Sequence, residues 1–155
     1  MDYRPRAMRQ AEVLRRVLML LVGLSLMAGL AAEPRTFYVG DIKAAMDRHI
    51  AQTVDDSGVF HLRDDRTGEV LALRFVKIHD PVRRIDDNTY FACTDFSLVK
   101  DEEQLYDIDF WLRPENGELL VYKTKVHKEP RRSLLYGWYK QPRYTFVDDE
   151  VVELY

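Results

Sequence analysis

The segment Leu105-Tyr106-Asp107-Ile108-Asp109-Phe110-Trp111-Leu112-Arg113-Pro114-Glu115-Asn116-Gly117-Glu118-Leu119-Leu120-Val121-Tyr122-Lys123-Thr124-Lys125-Val126 alternates apolar and polar side chains on both sides of a turn signal. Alternation of period two around Asn-Gly is the pattern of two antiparallel strands with one buried face. A three-residue loop, Glu115-Asn116-Gly117 with Gly117 left-handed, sets Leu112 against Leu120, Phe110 against Tyr122, Ile108 against Thr124 and Tyr106 against Val126. The other face then pairs Asp109 with Lys123 and Asp107 with Lys125. A two-residue Asn116-Gly117 loop would slip the register and put Phe110 against Lys123, so the three-residue loop is expected. Cross-strand charge pairs contribute at most ~1 kcal/mol, so burial of the apolar face supplies the stability.

Upstream of this hairpin the β-rich runs cover residues 59–63, 70–79 and 89–98, separated by Gly- and Asp-containing turns. Before them, Ile42, Ala45, Met46, His49, Ile50 and Thr53 recur at helical spacing after Asp41, which is placed to cap a helix ending near Val54. His49 falls in that apolar stripe and reads as a structural histidine. A helix followed by a meander predicts an α+β domain: one amphipathic helix on a curved antiparallel sheet of five or more strands. If Tyr90, Ala92, Thr94, Phe96 and Leu98 face the helix, Cys93 and Asp95 share the opposite face with Asp107 and Asp109.

The first and last hairpins share a pattern, Phe60-His61-Leu62-Arg63…Gly68-Glu69-Val70-Leu71…Lys77-Ile78-His79 against Phe110-Trp111-Leu112-Arg113…Gly117-Glu118-Leu119-Leu120…Lys125-Val126-His127. A duplication would make His79 and His127 equivalent residues at strand ends; two unrelated hairpins with Gly-Glu turns would also look alike. The helix, the hairpin and the aromatic strand with its Gly117-Glu118-Leu119-Leu120 return resemble small exported bacterial domains of cystatin-like and PepSY-like architecture over residues 36–128. The resemblance implies a binding or inhibitory module rather than an enzyme, and carries over no functional residue.

At the N-terminus, residues 17–32 carry no charge and follow Arg4, Arg6, Arg9, Arg15 and Arg16. A basic head before an apolar run is an export signal. Sixteen residues is short of the ~20 that span a bilayer, and Gly29-Leu30-Ala31 supplies small residues for cleavage. Residues 1–32 are therefore expected to be a signal peptide, or an N-terminal membrane anchor if uncleaved, with residues 33–155 as one periplasmic or secreted domain. The alternative is an inner-membrane protein with its domain outside, meeting the membrane only through residues 11–32.

The chain has 23 basic and 26 acidic residues; without the head's five basic and two acidic residues the balance is 18 against 24. An acidic domain is not built for nucleic acid. Cys93 is the single cysteine, so no internal disulfide is available.

Three groups of residues are candidates for function. Asp95, Asp107 and Asp109 with Lys123 and Lys125 read as a solvated, ion-paired outer face; turned inward, the same aspartates would line a small-ligand or catalytic pocket. Tyr136, Trp138, Tyr139, Tyr144 and Phe146, flanked by Arg131 and Arg132, form either an edge hairpin turning near Gln141-Pro142-Arg143 or an aromatic platform for a protein or peptide of the cell envelope. The histidines lack zinc spacing, so no metal or other cofactor is expected, His79 and His127 being the pair a metal would use. No nucleophile elbow, phosphate loop or dinucleotide motif is present. The expected function is a non-enzymatic exported binding or accessory domain, with a pocket-bearing enzyme or a single-pass subunit of a membrane complex as alternatives.

Overall fold

Asn116 and Gly117 both adopt positive φ, 51° and 81°, and Glu115 pairs with Glu118 across them. The turn therefore has two residues, not three, and is of the kind whose twist matches the flanking strands. The expected register is corrected accordingly. Alternation survives because a β-bulge follows: Leu112 faces Val121, Trp111 faces Lys123, and Tyr122 is the extra residue. Phe110 then lies opposite Thr124, so the clash with Lys123 that argued against the short loop never arises. Leu119 and Val121 take the core positions expected for Leu120 and Tyr122, which are exposed. The cross-strand partners become Asp109 with Lys125 and Asp107 with Lys128.

The computed structural model describes residues 35–154, so the expected signal or anchor segment lies outside the described residues. Among them are one helix, α1 (Val39–Thr53), and nine strands: β1 (Phe60–Arg63), β2 (Val70–Ile78), β3 (Arg83–Arg84), β4 (Tyr90–Leu98), β5 (Asp101–Glu115), β6 (Glu118–Ser133), β7 (Gly137–Pro142), β8 (Tyr144–Val147) and β9 (Glu150–Glu153). The domain is α+β, with a seven-stranded antiparallel sheet in the order β1-β2-β4-β5-β6-β7 and β3 joined to β4. A second, two-stranded sheet is formed by β8 and β9. No helix among the described residues is long and apolar enough to cross a membrane.

Tyr38, not Asp41, is the residue that starts α1; Asp41 stands in the first turn and accepts the Tyr38 N–H at 2.9 Å. An acid there also complements the helix dipole. Ile42, Ala45, Met46 and Ile50 of α1 are buried against Phe60, Leu73, Phe96, Ile108, Phe110 and Val126 of the sheet. His49 sits at the margin of this core, its ring edge-on to Phe60 and Phe110, and burial lowers its pKa.

The C-terminal hairpin departs from expectation. Its turn falls at residues 134–136, between β6 and β7, rather than near Gln141-Pro142-Arg143. Pro142 lacks an N–H for further pairing, and at Arg143 the chain leaves the sheet edge. The Arg143 N–H donates to the carbonyl of His127 at 2.8 Å, and β8 and β9 follow. A two-residue turn at Asp148-Asp149, both at positive φ, joins them. Tyr144, Phe146 and Val151 pack on Phe91, Trp111, Ile85 and Cys93. These rings meet mostly edge to face, Phe91 with Trp111 and with Phe146 at 5.3 Å. The sheet is thus covered on both faces, by α1 on one and by the C-terminal hairpin on the other.

Candidate functional site

Cys93 and Asp95 of β4 lie opposite Asp109 and Asp107 of β5, all four side chains on the face away from α1. Each flanking strand carries a bulge beside them. In β2 the pairing slips between Phe75 and Lys77, which brings Lys77 opposite Asp95. In β6 it slips between Val126 and Lys128, making His127 the extra residue and setting both His127 and Lys128 on the aspartate side. A bulge re-aims side chains without ending the ladder. His79 flanks the quartet from just beyond β2, its N–H bonded to the carbonyl of Cys93 at 2.8 Å, and His127 flanks it from β6.

The expectation that this face meets water is corrected. Asp107 and Asp109 are 0 % exposed, because β7 and β8 bring Lys140 and Tyr144 down on them. Lys140 bonds Asp95 at 2.7 Å and also Asp107, while Lys128 reaches the second oxygen of Asp107 at 2.7 Å. His79 Nε2 lies 2.9 Å from Asp95. Burial pushes the pKa of Asp95 up, but hydrogen bonds with Asp107, Lys140 and His79 outweigh it and hold the carboxyl below the usual range. Burial likewise pulls Lys140 down, and its bonds to Asp107 and Asp95 carry the net shift upward.

Asp109 differs from its neighbours. Among the described residues no lysine or arginine pairs with it; Tyr144 donates to Oδ2 at 2.7 Å, and His127 Nδ1 stands 3.3 Å away, too poorly aligned for a hydrogen bond. Asp109 Oδ1 and His127 Nδ1 are both buried without a hydrogen-bond partner. The His127 ring stacks on Tyr144 at 4.7 Å. Burial, then the adjacent Asp109 charge, pushes the Cys93 thiol far up, and the same two causes raise Tyr144.

Lys123 and Lys125, expected as partners of the aspartates, have other contacts. Lys123 lies over the Trp111 ring at 4.4 Å. Lys125 pairs with Glu153 at 2.6 Å and Asp65 at 3.4 Å, tying β9 and the β1–β2 turn to β6.

Beside this cluster a buried arginine clamps the tail. Arg143 donates two parallel bonds to Asp64, each of 2.6 Å, and its Nε donates to Glu129 at 2.7 Å. Asp64 also accepts the N–H of Arg66 at 2.9 Å within the β1–β2 turn. Chiefly through the Arg143 hydrogen bonds, the Asp64 pKa falls from 3.8 to about 2. Since the folded carboxyl titrates below the unfolded one, its contribution, on the order of 2 kcal/mol, is complete above pH ~4 and fades as pH falls through ~2. Urea unfolding between pH 5 and 2 is expected to lose that contribution in the native chain and to lose less in Asp64→Asn.

The aromatic tail residues separate into two groups. Tyr144 is buried and Phe146 half-buried under the second face, where both are core. At the β6–β7 tip, Leu134, Leu135 and Tyr136 are 106 %, 83 % and 82 % exposed. Trp138 and Tyr139 follow on β7, with the Arg132 guanidinium 6.0 Å from the Trp138 ring centre and Arg131 paired to Glu129. Trp138, Tyr139 and Lys140 line a shallow groove with Glu103, Leu105 and Pro130.

Lys128, Lys140, Asp64, Glu129 and Arg143 belong to the buried polar network and carry no local sequence signal for it. A stretch holding five aromatic residues around Pro142-Arg143 could have suggested a covered face, and with it a buried arginine. No protein-family model, curated protein or solved structure matches this chain.

Proposed function

We propose that this chain is an exported, non-enzymatic binding domain that holds a protein partner of the cell envelope through the β6–β7 hairpin. The single observation behind this reading is the tip: three successive large apolar side chains stand in solvent at residues 134–136. Such a patch is costly to expose on a free surface and marks contact sites. β7 supports the same reading as the edge of the seven-stranded sheet, with Trp138 and Tyr139 on a strand whose outer backbone groups are available for strand addition. One helix on an antiparallel sheet is consistent with a cystatin-like binding module, and the basic, apolar N-terminal segment with a periplasmic, secreted or membrane-anchored location. Against the pocket alternative stand the ion pairs that occupy Asp95 and Asp107 and the core packing of Tyr144 above Asp109.

The tip residues carry no core packing, so Leu134→Ser, Leu135→Ser, Tyr136→Ser together are expected to leave the unfolding midpoint unchanged. The same variant loses affinity on the order of 30-fold for the partner cross-linked to the native chain in its own envelope fraction, the loss of one central anchor. The Trp138→Ala, Tyr139→Ala pair extends the loss along β7. Undiminished capture by both variants refutes the tip as the contact.

A further inference from the structure

We propose that Cys93, Asp109 and His127 form a site for a divalent metal ion of the zinc class. Their ligand atoms all lie within 4.8 Å of one another, one from each of the neighbouring strands β4, β5 and β6. Cys93 and Asp109 are cross-strand neighbours, and the β6 bulge turns His127 toward them. Two atoms of this group are left over by the protein itself: Asp109 Oδ1 and His127 Nδ1 are buried and make no hydrogen bond. A fully buried carboxylate without a cation is expensive, and a metal ion supplies the missing positive charge.

The chemistry of the donors selects the metal. Thiolate, imidazole and carboxylate together suit zinc, which takes four ligands in a tetrahedron; these three side chains would leave the fourth position to water. Binding moves the Cys93 S–H proton to solvent and forms the sulfur–metal bond, so thiolate and carboxylate together balance the two positive charges with His127 neutral. Tyr144 donates to the other oxygen of Asp109 and stacks on the His127 ring, which orients two of the three ligands from outside. A second group, His79, Cys93 and Asp107, has similar spacing, and Asp107 Oδ2 is likewise buried without a hydrogen bond, but that carboxylate already has cations beside it. There Asp107 is already held by Lys128 and Lys140, and His79 is tied to Asp95.

Cobalt(II) added to the full chain in detergent reads the site directly. Thiolate bound to tetrahedral cobalt gives a near-ultraviolet charge-transfer band with intense visible bands. The native chain is expected to show both at about one equivalent, with zinc displacing the cobalt. At a hundredfold excess over its Kd, zinc raises Tm on the order of 10 °C. Cys93→Ser abolishes the charge-transfer band. His127→Gln weakens binding by at least about 100-fold, since changes even outside the ligand shell cost 10–100-fold. Should Cys93→Ser fail to fold, His127→Gln and His79→Gln decide by comparison: loss in the first and retention in the second supports the assignment. The reverse pattern, a native chain without a sulfur–cobalt band, or a band untouched by His127→Gln overturns it.

Discussion

Replacing Arg143 with methionine is expected to lower the unfolding free energy by about 3–5 kcal/mol, the cost of stripping one partner from a buried ionic group. The guanidinium is almost entirely inaccessible and donates to two carboxylates, Asp64 and Glu129, that are themselves buried. Methionine fills much of the same volume, so the loss reports the two orphaned charges rather than a cavity. Part of it returns in the triple variant Arg143→Met, Asp64→Asn, Glu129→Gln, where no uncompensated charge remains. Urea denaturation near neutral pH measures both. A loss below about 1 kcal/mol for Arg143→Met would place the arginine among surface ion pairs.

Tyr144→Ala is expected to cost a further 3–5 kcal/mol by a different mechanism. The ring is fully buried between the His127 ring and Phe146, and its removal opens a void over the sheet's second face. Tyr144→Phe separates the two contributions: it keeps the ring and removes only the hydroxyl that donates to Asp109. That variant is expected to lose about 1–3 kcal/mol, the cost of leaving a buried acceptor unsatisfied. Equilibrium unfolding of the two variants side by side gives the ring and the hydroxyl separately. Near-native stability of Tyr144→Ala would mean that the C-terminal hairpin contributes nothing to the core.

The helix, the strand succession and the core side of β4 and β5 were legible because they depend on local period. Ile42, Ala45, Met46 and Ile50 repeat along one helical face, and Tyr90, Ala92, Thr94 and Phe96 along one strand face. The bulges were not legible. Asn116-Gly117 is by itself a strong two-residue turn signal. The alternation argument overrides that signal only for unbulged strands, and the extra Tyr122 removes the conflict. The extra His127 shifts the pairing once more further along β6, giving Asp107 the partner Lys128 where the unbulged ladder would have set His127.

Burial of the second face was hidden for another reason. Asp107 and Asp109 alternate with apolar residues in the way solvent-facing side chains do, and only contacts from distant segments exclude water from them. Lys140 comes 33 residues after Asp107, Tyr144 comes 35 after Asp109, and Arg143 comes 79 after Asp64. Separation of that size has no periodic trace. The result is a polar layer between two apolar ones, with Asp95 and Asp107 neutralised by lysines and Asp109 facing His127, Tyr144 and Cys93, with no lysine or arginine paired to it among the described residues. That one difference between neighbouring aspartates is what distinguishes a structural ion-pair network from a candidate metal centre.

The Asp64–Arg143 double-mutant cycle is the most direct test that the C-terminal segment closes this face. Asp64→Asn, Arg143→Met and the pair, compared by urea unfolding near neutral pH, are expected to give a coupling of about 2 kcal/mol, within the range for residues in one buried ionic network. Independent losses that simply add would contradict the clamp, and with it the burial of the carboxylates beneath the tail.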